Sequence, residues 1–128
     1  MIVLADTSVW IDHWRRGNAR LERLLEQDRV VLHPFVFGEI ALGAIRQRPL
    51  VLRHLAKLRA PRVAQHREVL SLIDRANLWS RGIGWVDVHL LASTLLEGIR
   101  LWTLDQPLAR AASRLGVAIT PPPLSPRS

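Results

Sequence analysis

The chain opens with an uninterrupted apolar run that ends in an acid, and this opening limits the folds available to it. Residues 2–5 are all apolar, Asp6 follows them, and the hydroxyl residues Thr7 and Ser8 come next. A short apolar run that stops at a polar turn signal is typical of a strand buried on both faces of a parallel sheet. A carboxylate at the end of such a strand is costly to bury unless a compensating group meets it.

The same arrangement returns near the other end of the chain, where residues 100–104 run into Asp105. If both runs are parallel strands, Asp6 and Asp105 lie on the same edge of one sheet. The edge outside the carboxyl ends of the strands is where open α/β sheets bind ligands. The two acids therefore predict a functional site at this edge.

Strand and helix patterns alternate along the chain, which predicts an α/β fold with a parallel sheet between two layers of helices. We expect a single domain over residues 1–120, followed by a proline-rich, disordered tail at 121–128. The predicted strands are 2–5, 30–33, 100–104 and 117–119. The predicted helices are 8–16, 19–27, 35–46, 68–79, 86–97 and 107–115, with another between Pro49 and Pro61; Asn18 and the glycines at 17, 98 and 116 mark helix ends.

Composition excludes several classes of protein. There is no cysteine among the 128 residues, so disulfide frameworks and thiolate metal sites are excluded. The N-terminus lacks the basic region of a signal peptide, and no stretch is long and apolar enough to span a membrane. We therefore expect a cytoplasmic protein that has no membrane association.

The charge balance points to a polyanionic partner. Eighteen basic residues face eleven acids, a net charge of +7. If four of those acids share one site, seven acids remain against 18 basic residues elsewhere, a balance of +11. A basic surface around an acidic site suits a nucleic acid. The alternative is a basic protein from a genome that favours arginine, since 17 of the 18 basic residues are Arg.

Two further acids are candidates for the site. Asp87 begins a predicted helix and lies in line with Leu90, Leu91 and Thr94, which places it on the inward face. The alternative role for Asp87 is that of a helix N-terminal cap. Glu39 is the only charged residue between positions 35 and 45, and the alternative there is a solvent-facing side chain on a buried helix.

Four carboxylates at one site would repel one another, and a divalent cation removes this conflict. A site made only of oxygen ligands suits Mg²⁺ or Mn²⁺. Such a cation activates water and stabilises a phosphodiester under attack. The candidate metal-binding and catalytic residues are thus Asp6, Glu39, Asp87 and Asp105.

Three hydroxyl residues, Thr7, Ser8 and Thr103, are candidates for supporting the acids or contacting the scissile phosphate. Their alternative role is in turns and caps, and we expect Thr7 or Ser8 to be an N-cap. The five histidines lack zinc spacing, and His89 is predicted to be structural. Ser8 stands where aspartyl phosphatases, which have a similar opening, carry a second acid.

Four motifs in order, at residues 6–12, 38–40, 84–93 and 101–105, resemble those of the PIN-domain ribonucleases, and within them the VapC toxins of bacterial toxin–antitoxin pairs. The resemblance covers residues 2 to about 119. It implies a five-stranded parallel sheet in a three-layer α/β/α sandwich. It also implies endonucleolytic cleavage of RNA that depends on Mg²⁺ or Mn²⁺, with the four acids named above as the metal site.

The resemblance further implies partners for the chain. These are a homodimer and a VapB-type antitoxin, joined in a heterotetramer or larger assembly, with the helices near 50–58 forming part of an antitoxin groove. One departure from the family pattern is that Gln106, Pro107 and Leu108 follow Asp105, where many members have another charged residue. We therefore expect one tightly held metal and a second that arrives with substrate.

Other functions remain open on the sequence alone. One is a non-cleaving module that binds RNA or a protein partner, and another is a DNA nuclease with the same metal site. The basic segment at 46–67 is compatible with a role in binding either the substrate or the antitoxin.

Overall fold

Three short parallel strands form the centre of the computed structural model, which describes residues 1–120. The strands are β1 (Val3–Ala5), β2 (Val30–Val31) and β3 (Arg100–Trp102), and their order in the sheet is β2-β1-β3. Each strand-forming residue of β1 is fully buried, as predicted for a central strand. The predicted tail at 121–128 lies outside the described residues.

The five-stranded sheet that the resemblance implied is wrong for the described residues, in which the sheet has three strands. The predicted strand at 117–119 is reduced to a single bridge between Ala118 and Leu101. There, the Leu101 N–H donates to the Val117 carbonyl oxygen at 2.7 Å, and the Ile119 N–H donates to the Leu101 carbonyl oxygen at 3.0 Å. One residue of pairing is too little to extend the ladder, although the predicted α/β class is confirmed.

Seven helices in residues 1–120 surround the sheet. They are α1 (Thr7–Arg16), α2 (Ala19–Glu26), α3 (Pro34–Leu42), α4 (Arg48–Leu55), α5 (His66–Arg75), α6 (Trp85–Glu97) and α7 (Gln106–Arg114). Asn18 caps α2 as predicted, because its side chain accepts a hydrogen bond from the Leu21 N–H at 3.0 Å. None of these helices has the length and apolar character required to cross a membrane.

Three helices, α3, α4 and α5, differ from the predicted ranges by more than one residue. The helix predicted between Pro49 and Pro61 ends already at Leu55, and α5 ends at Arg75, four residues before its predicted end. Helix α3 ends at Leu42, well before Arg46, because Gly43 leaves the helical region and closes the last turn through Ile40. Helix α5 begins at His66, two residues early, since the Glu68 carboxylate reaches back to accept from the Gln65 N–H at 2.8 Å. This reciprocal cap was not predicted because Gln65 is not a usual N-cap residue.

A histidine is built into the core. His33 is 0 % exposed. Its Nδ1 accepts from the Phe35 N–H at 2.9 Å, so the proton resides on Nε2, which donates to Ser93 Oγ at 3.1 Å. Ser93 Oγ in turn donates to the Arg62 carbonyl oxygen at 2.6 Å. Burial, with a smaller contribution from His89, lowers the pKa of His33 to about 4. The imidazole therefore stays neutral at physiological pH and connects α3, α6 and the segment before α5.

The buried His33 predicts a stability loss in mild acid. Below about pH 6.5 His33 becomes protonated in the unfolded chain, whereas in the folded chain it stays neutral down to about pH 4. The contribution of His33 to the free energy of unfolding should therefore fall by roughly 3 kcal/mol between pH 7 and pH 4. The difference in free energy of unfolding between wild type and His33→Gln should become smaller as the pH falls. Denaturant unfolding across this pH range measures that difference.

The exposed His54 on α4 provides the control for this measurement. His54→Gln makes the same substitution at an exposed position and reports the effect of replacing a histidine by glutamine outside the core. A gap between wild type and His33→Gln that stays constant from pH 7 to pH 4 would contradict the neutral, buried state of His33.

Candidate active site

The parallel pairing of β1 and β3 brings the residues that follow them to one edge of the sheet. Ala5 pairs with Trp102 in register, and the Asp6 N–H donates to the Trp102 carbonyl oxygen at 3.0 Å. Asp6 and Thr103 therefore leave the sheet side by side. This is the edge at which the sequence predicted a site, and Asp105 follows two residues later.

Asp6 is buried, with 7 % of its surface exposed, and hydrogen bonds hold both of its carboxylate oxygens. Oδ1 accepts from the Ser8 N–H at 3.0 Å and from Ser8 Oγ at 2.5 Å. Oδ2 accepts from Thr103 Oγ1 at 2.5 Å. Burial raises the pKa of Asp6, although these hydrogen bonds lower it in part.

Asp6 is itself the N-cap of α1, so the expectation that Thr7 or Ser8 would cap this helix is wrong. Both hydroxyl residues lie inside the first turn, because the Asp6 side chain at the strand end already accepts the backbone N–H groups of Ser8 and Val9. Their hydroxyls are left to bind acids. Ser8 Oγ donates to Asp6, as described, and Thr7 Oγ1 donates to Glu39 Oε1 at 2.6 Å.

Two hydroxyl relays fasten the loop after β3 to Asp6. Thr103 Oγ1 donates to Asp6 and accepts from the Asp105 N–H at 3.0 Å. Ser8 Oγ also donates to Asp6 and accepts from the Leu104 N–H at 2.9 Å. The backbone of Leu104 and Asp105 is therefore positioned by the Asp6 carboxylate.

The other two aspartates also lie at helix N-termini. Asp105 is the N-cap of α7, and its Oδ2 accepts from the Leu108 N–H at 3.1 Å. Asp87 is the third residue of α6, and its Oδ2 accepts from the Gly84 N–H at 2.9 Å. The capping role weighed for Asp87 is therefore present. It is compatible with a place in the site, since a helix N-terminus favours a carboxylate.

Glu39 lies within α3 and is exposed. This matches the solvent-facing position weighed for it, but its carboxylate is turned toward α1, where it meets Thr7. The Thr7–Glu39 hydrogen bond thus links the helix after β1 to the helix after β2. Glu39 therefore contacts the first residue of α1, which directly follows Asp6.

The charges of the acids act on one another. Burial raises the pKa of Asp87, and the negative charges of Asp105 and Glu39 raise it further. The pKa of the half-buried Asp87 therefore depends on the charges of the exposed Asp105 and Glu39. A divalent cation among these carboxylates would relieve this repulsion and would favour their charged forms.

In the structure of residues 1–120, no three acidic or histidine side chains are already arranged to hold an ion. Asp6, Asp87 and Asp105 instead accept hydrogen bonds from backbone N–H groups at the starts of their own helices. Glu39 accepts a hydrogen bond from Thr7. The donor set of four carboxylates with neighbouring hydroxyls fits a hard cation that binds oxygen.

A cleft of about 540 Å³ opens beside Glu39 and Thr7, between α1, α3 and α4. Arg15 and Arg46 line it together with the apolar side chains Ile11, Trp14, Ile45 and Val51. The sequence singled out Arg46 as the start of a basic segment. It gave no reason to choose Arg15 among the 17 arginines of the chain.

The chain belongs to the PIN-domain family, which matches residues 3–114. This confirms the family suggested by the four motifs. Proteins named Ribonuclease VapC32, from the CDC 1551 / Oshkosh and ATCC 25618 / H37Rv strains of Mycobacterium tuberculosis, are each 50% identical to it over 119 residues. The aligned region covers 92% of this chain and 96% of each relative.

The relay through Thr103 can be tested by removing its hydroxyl. Thr103→Val should lower the free energy of unfolding by about 1–3 kcal/mol, because it leaves Asp6 Oδ2 and the Asp105 N–H without their partner. Thr103→Ser retains the hydroxyl and should lose much less. Denaturant unfolding of the three proteins measures both values, and equal stability of Thr103→Val and wild type would show that the relay does not hold the loop.

Proposed function

We propose that the protein is an endoribonuclease that depends on Mg²⁺ or Mn²⁺ and acts as the toxin of a VapBC-type toxin–antitoxin pair. The observation that carries the proposal is the electrostatic coupling at the sheet edge. There, burial and the charges of Asp105 and Glu39 raise the pKa of Asp87, and Asp105 is linked through the Thr103 hydroxyl to the buried Asp6. The name of its relatives, Ribonuclease VapC32, supports RNA as the substrate.

In this proposal Asp6, Glu39, Asp87 and Asp105 hold the cation. When bound, it supplies activation of the attacking water and neutralises charge on the phosphate. Asp6 is the fixed point, because Ser8 and Thr103 prevent its carboxylate from rotating. Thr7 orients Glu39 from the side of α1. The surplus of basic residues binds the RNA backbone around this acidic centre.

The proposed partners follow from the same surface. The cleft beside Glu39 combines apolar walls with Arg15 and Arg46, which suits an inserted segment of a VapB-type antitoxin. Val51 of α4 contributes to the cleft, as the predicted antitoxin groove near 50–58 requires. We also propose a homodimer that forms a heterotetramer or larger assembly with the antitoxin, and a cytoplasmic location where RNA is available.

Metal binding should appear as a gain in stability. Because a cation relieves the repulsion around Asp87, wild type should be stabilised by about 2.7 kcal/mol at a metal concentration 100 times its dissociation constant. Thermal unfolding with increasing Mg²⁺ or Mn²⁺ measures this gain, which Asp6→Asn should largely lose. Asp74→Asn changes an exposed acid on α5 and should leave the gain intact.

Calorimetric titration of the free protein should find one tight metal site, since the second is expected to arrive with substrate. Two equivalent tight sites would contradict this. The absence of any metal-dependent stabilisation in wild type would remove the support for the acids as ligands.

Cleavage by the purified, antitoxin-free protein tests the activity itself. Total cellular RNA should give discrete fragments with Mg²⁺ or Mn²⁺ and none with chelator. Asp6→Asn should be slower by at least about a hundred-fold, which is the usual loss when one electrostatic group at a reacting centre is removed. Cleavage that persists in Asp6→Asn would refute the site assignment.

Matched single-stranded DNA separates the alternatives. Cutting of RNA with little cutting of DNA supports the endoribonuclease, whereas equal cutting of both favours a general nuclease. Intact RNA and DNA, from folded protein that still binds metal, would favour the non-cleaving binding module.

A further inference from the structure

A continuous set of contacting rings runs from the core of the molecule to its surface. It starts at His33 and passes to Phe35, with ring centroids 4.9 Å apart, and then to His89 at 4.7 Å. From His89 it continues to Trp85 at 5.0 Å, and Trp85 lies 5.1 Å from His66. We call this set the ring ladder. It links α3, α5 and α6.

The two ends of the ring ladder differ in how much of their surface is exposed. His33 is fully buried and hydrogen-bonded through both nitrogens, and His89 is buried as well. Toward the outer end, Trp85 keeps 41% of its surface exposed, and His66, the last ring, is exposed as well. The ladder therefore presents an exposed indole on a support that is fixed in the core.

The ring ladder includes residues that are close in sequence to two of the acids. Trp85 is the first residue of α6, directly after Gly84, whose N–H binds the carboxylate of Asp87. Phe35 precedes Glu39 by four residues, so the two share one face of α3. The ladder thus joins the same turns of α3 and α6 that carry two of the four proposed metal ligands.

We propose that Trp85 is a positioning residue that stacks on an unpaired base of the RNA next to the cleaved bond. This inference rests on the proposed function and specifies its substrate as RNA with an exposed, unstacked base. Aromatic side chains are the usual platforms for such bases, and every base offers a flat face to them. A duplex hides its bases in the stack and would not use the ring.

The rigidity of the ring ladder supports this role. A platform that is already held in place loses little conformational freedom when a base is added, so more of the stacking energy appears as affinity. Trp79 is still more exposed, at 62%. In residues 1–120, however, no ring contact involves Trp79, which lies in the turn after α5. It therefore serves as a matched control.

Tryptophan fluorescence of the full-length, antitoxin-free chain, with chelator present to prevent cleavage, tests the proposal. Single-stranded oligoadenylate is the probe. Its binding should quench the emission of wild type, and Trp85→Phe should abolish most of that quenching while binding nearly as tightly. Trp79→Phe should keep the quenching.

Affinity gives the second readout. Trp85→Leu should weaken binding of oligoadenylate by about 5- to 150-fold, the range for loss of one stacked base. Trp79→Leu should bind within about two-fold of wild type. Wild-type affinity of Trp85→Leu, or no binding of the single strand by the wild type itself, would overturn the proposal.

An abasic strand distinguishes stacking from damage to the site. With a ribose-phosphate strand that lacks bases, wild type and Trp85→Leu should bind equally weakly, because there is nothing to stack. If Trp85→Leu weakens abasic binding as much as it weakens oligoadenylate binding, the residue supports the fold instead and the proposal is wrong.

The failure of the nuclease proposal has a different signature. Quenching and tight binding without cleavage in Mg²⁺ or Mn²⁺ would refute the nuclease and leave the stacking platform standing. Cleavage with unchanged oligoadenylate binding in Trp85→Leu would refute the platform alone.

Discussion

The sheet edge depends on one buried carboxylate, that of Asp6. Placing a charge at the end of a buried strand is unfavourable, and burial raises its pKa accordingly. The structure offsets this cost with donors from both neighbouring segments. Ser8 on α1 and Thr103 after β3 each donate to the carboxylate while accepting a backbone N–H from the loop that leads to α7. A single acid thus ends β1, caps α1 and positions Asp105.

Helix starts supply most of the remaining support. Asp6, Asp87 and Asp105 stand at the beginnings of α1, α6 and α7, where free N–H groups favour negative charge. Each of these three acids is therefore stabilised where it lies by backbone N–H groups. The charges of Asp105 and Glu39 still raise the pKa of Asp87. Glu39 has no helix start to hold it and relies on Thr7.

Most of the architecture could be predicted because its signals are local. Asn18 marks the start of α2 through its side-chain cap, and the glycines at 17, 98 and 116 mark helix ends by a positive φ that other residues seldom adopt. The sheet edge shared by the residues that follow β1 and β3 was predicted from the rule that parallel strands end together. The capping role of Asp6 was missed, because three consecutive residues were all good N-caps and only the strand end decides among them. The ring ladder was missed as well, because contacts between distant helices leave no periodic pattern in a single sequence.

The span between Asp6 and Thr103 has a consequence for biosynthesis. Their hydrogen bond joins residues 97 positions apart, so the loop between them must close before the relay can form. A chain that is still emerging from the ribosome lacks β3, Thr103 and Asp105 until the hundred residues before them have been made. The acid edge is therefore incomplete throughout that part of synthesis. If the finished enzyme cuts RNA, the order of residues along the chain protects the messenger and ribosome that are producing it.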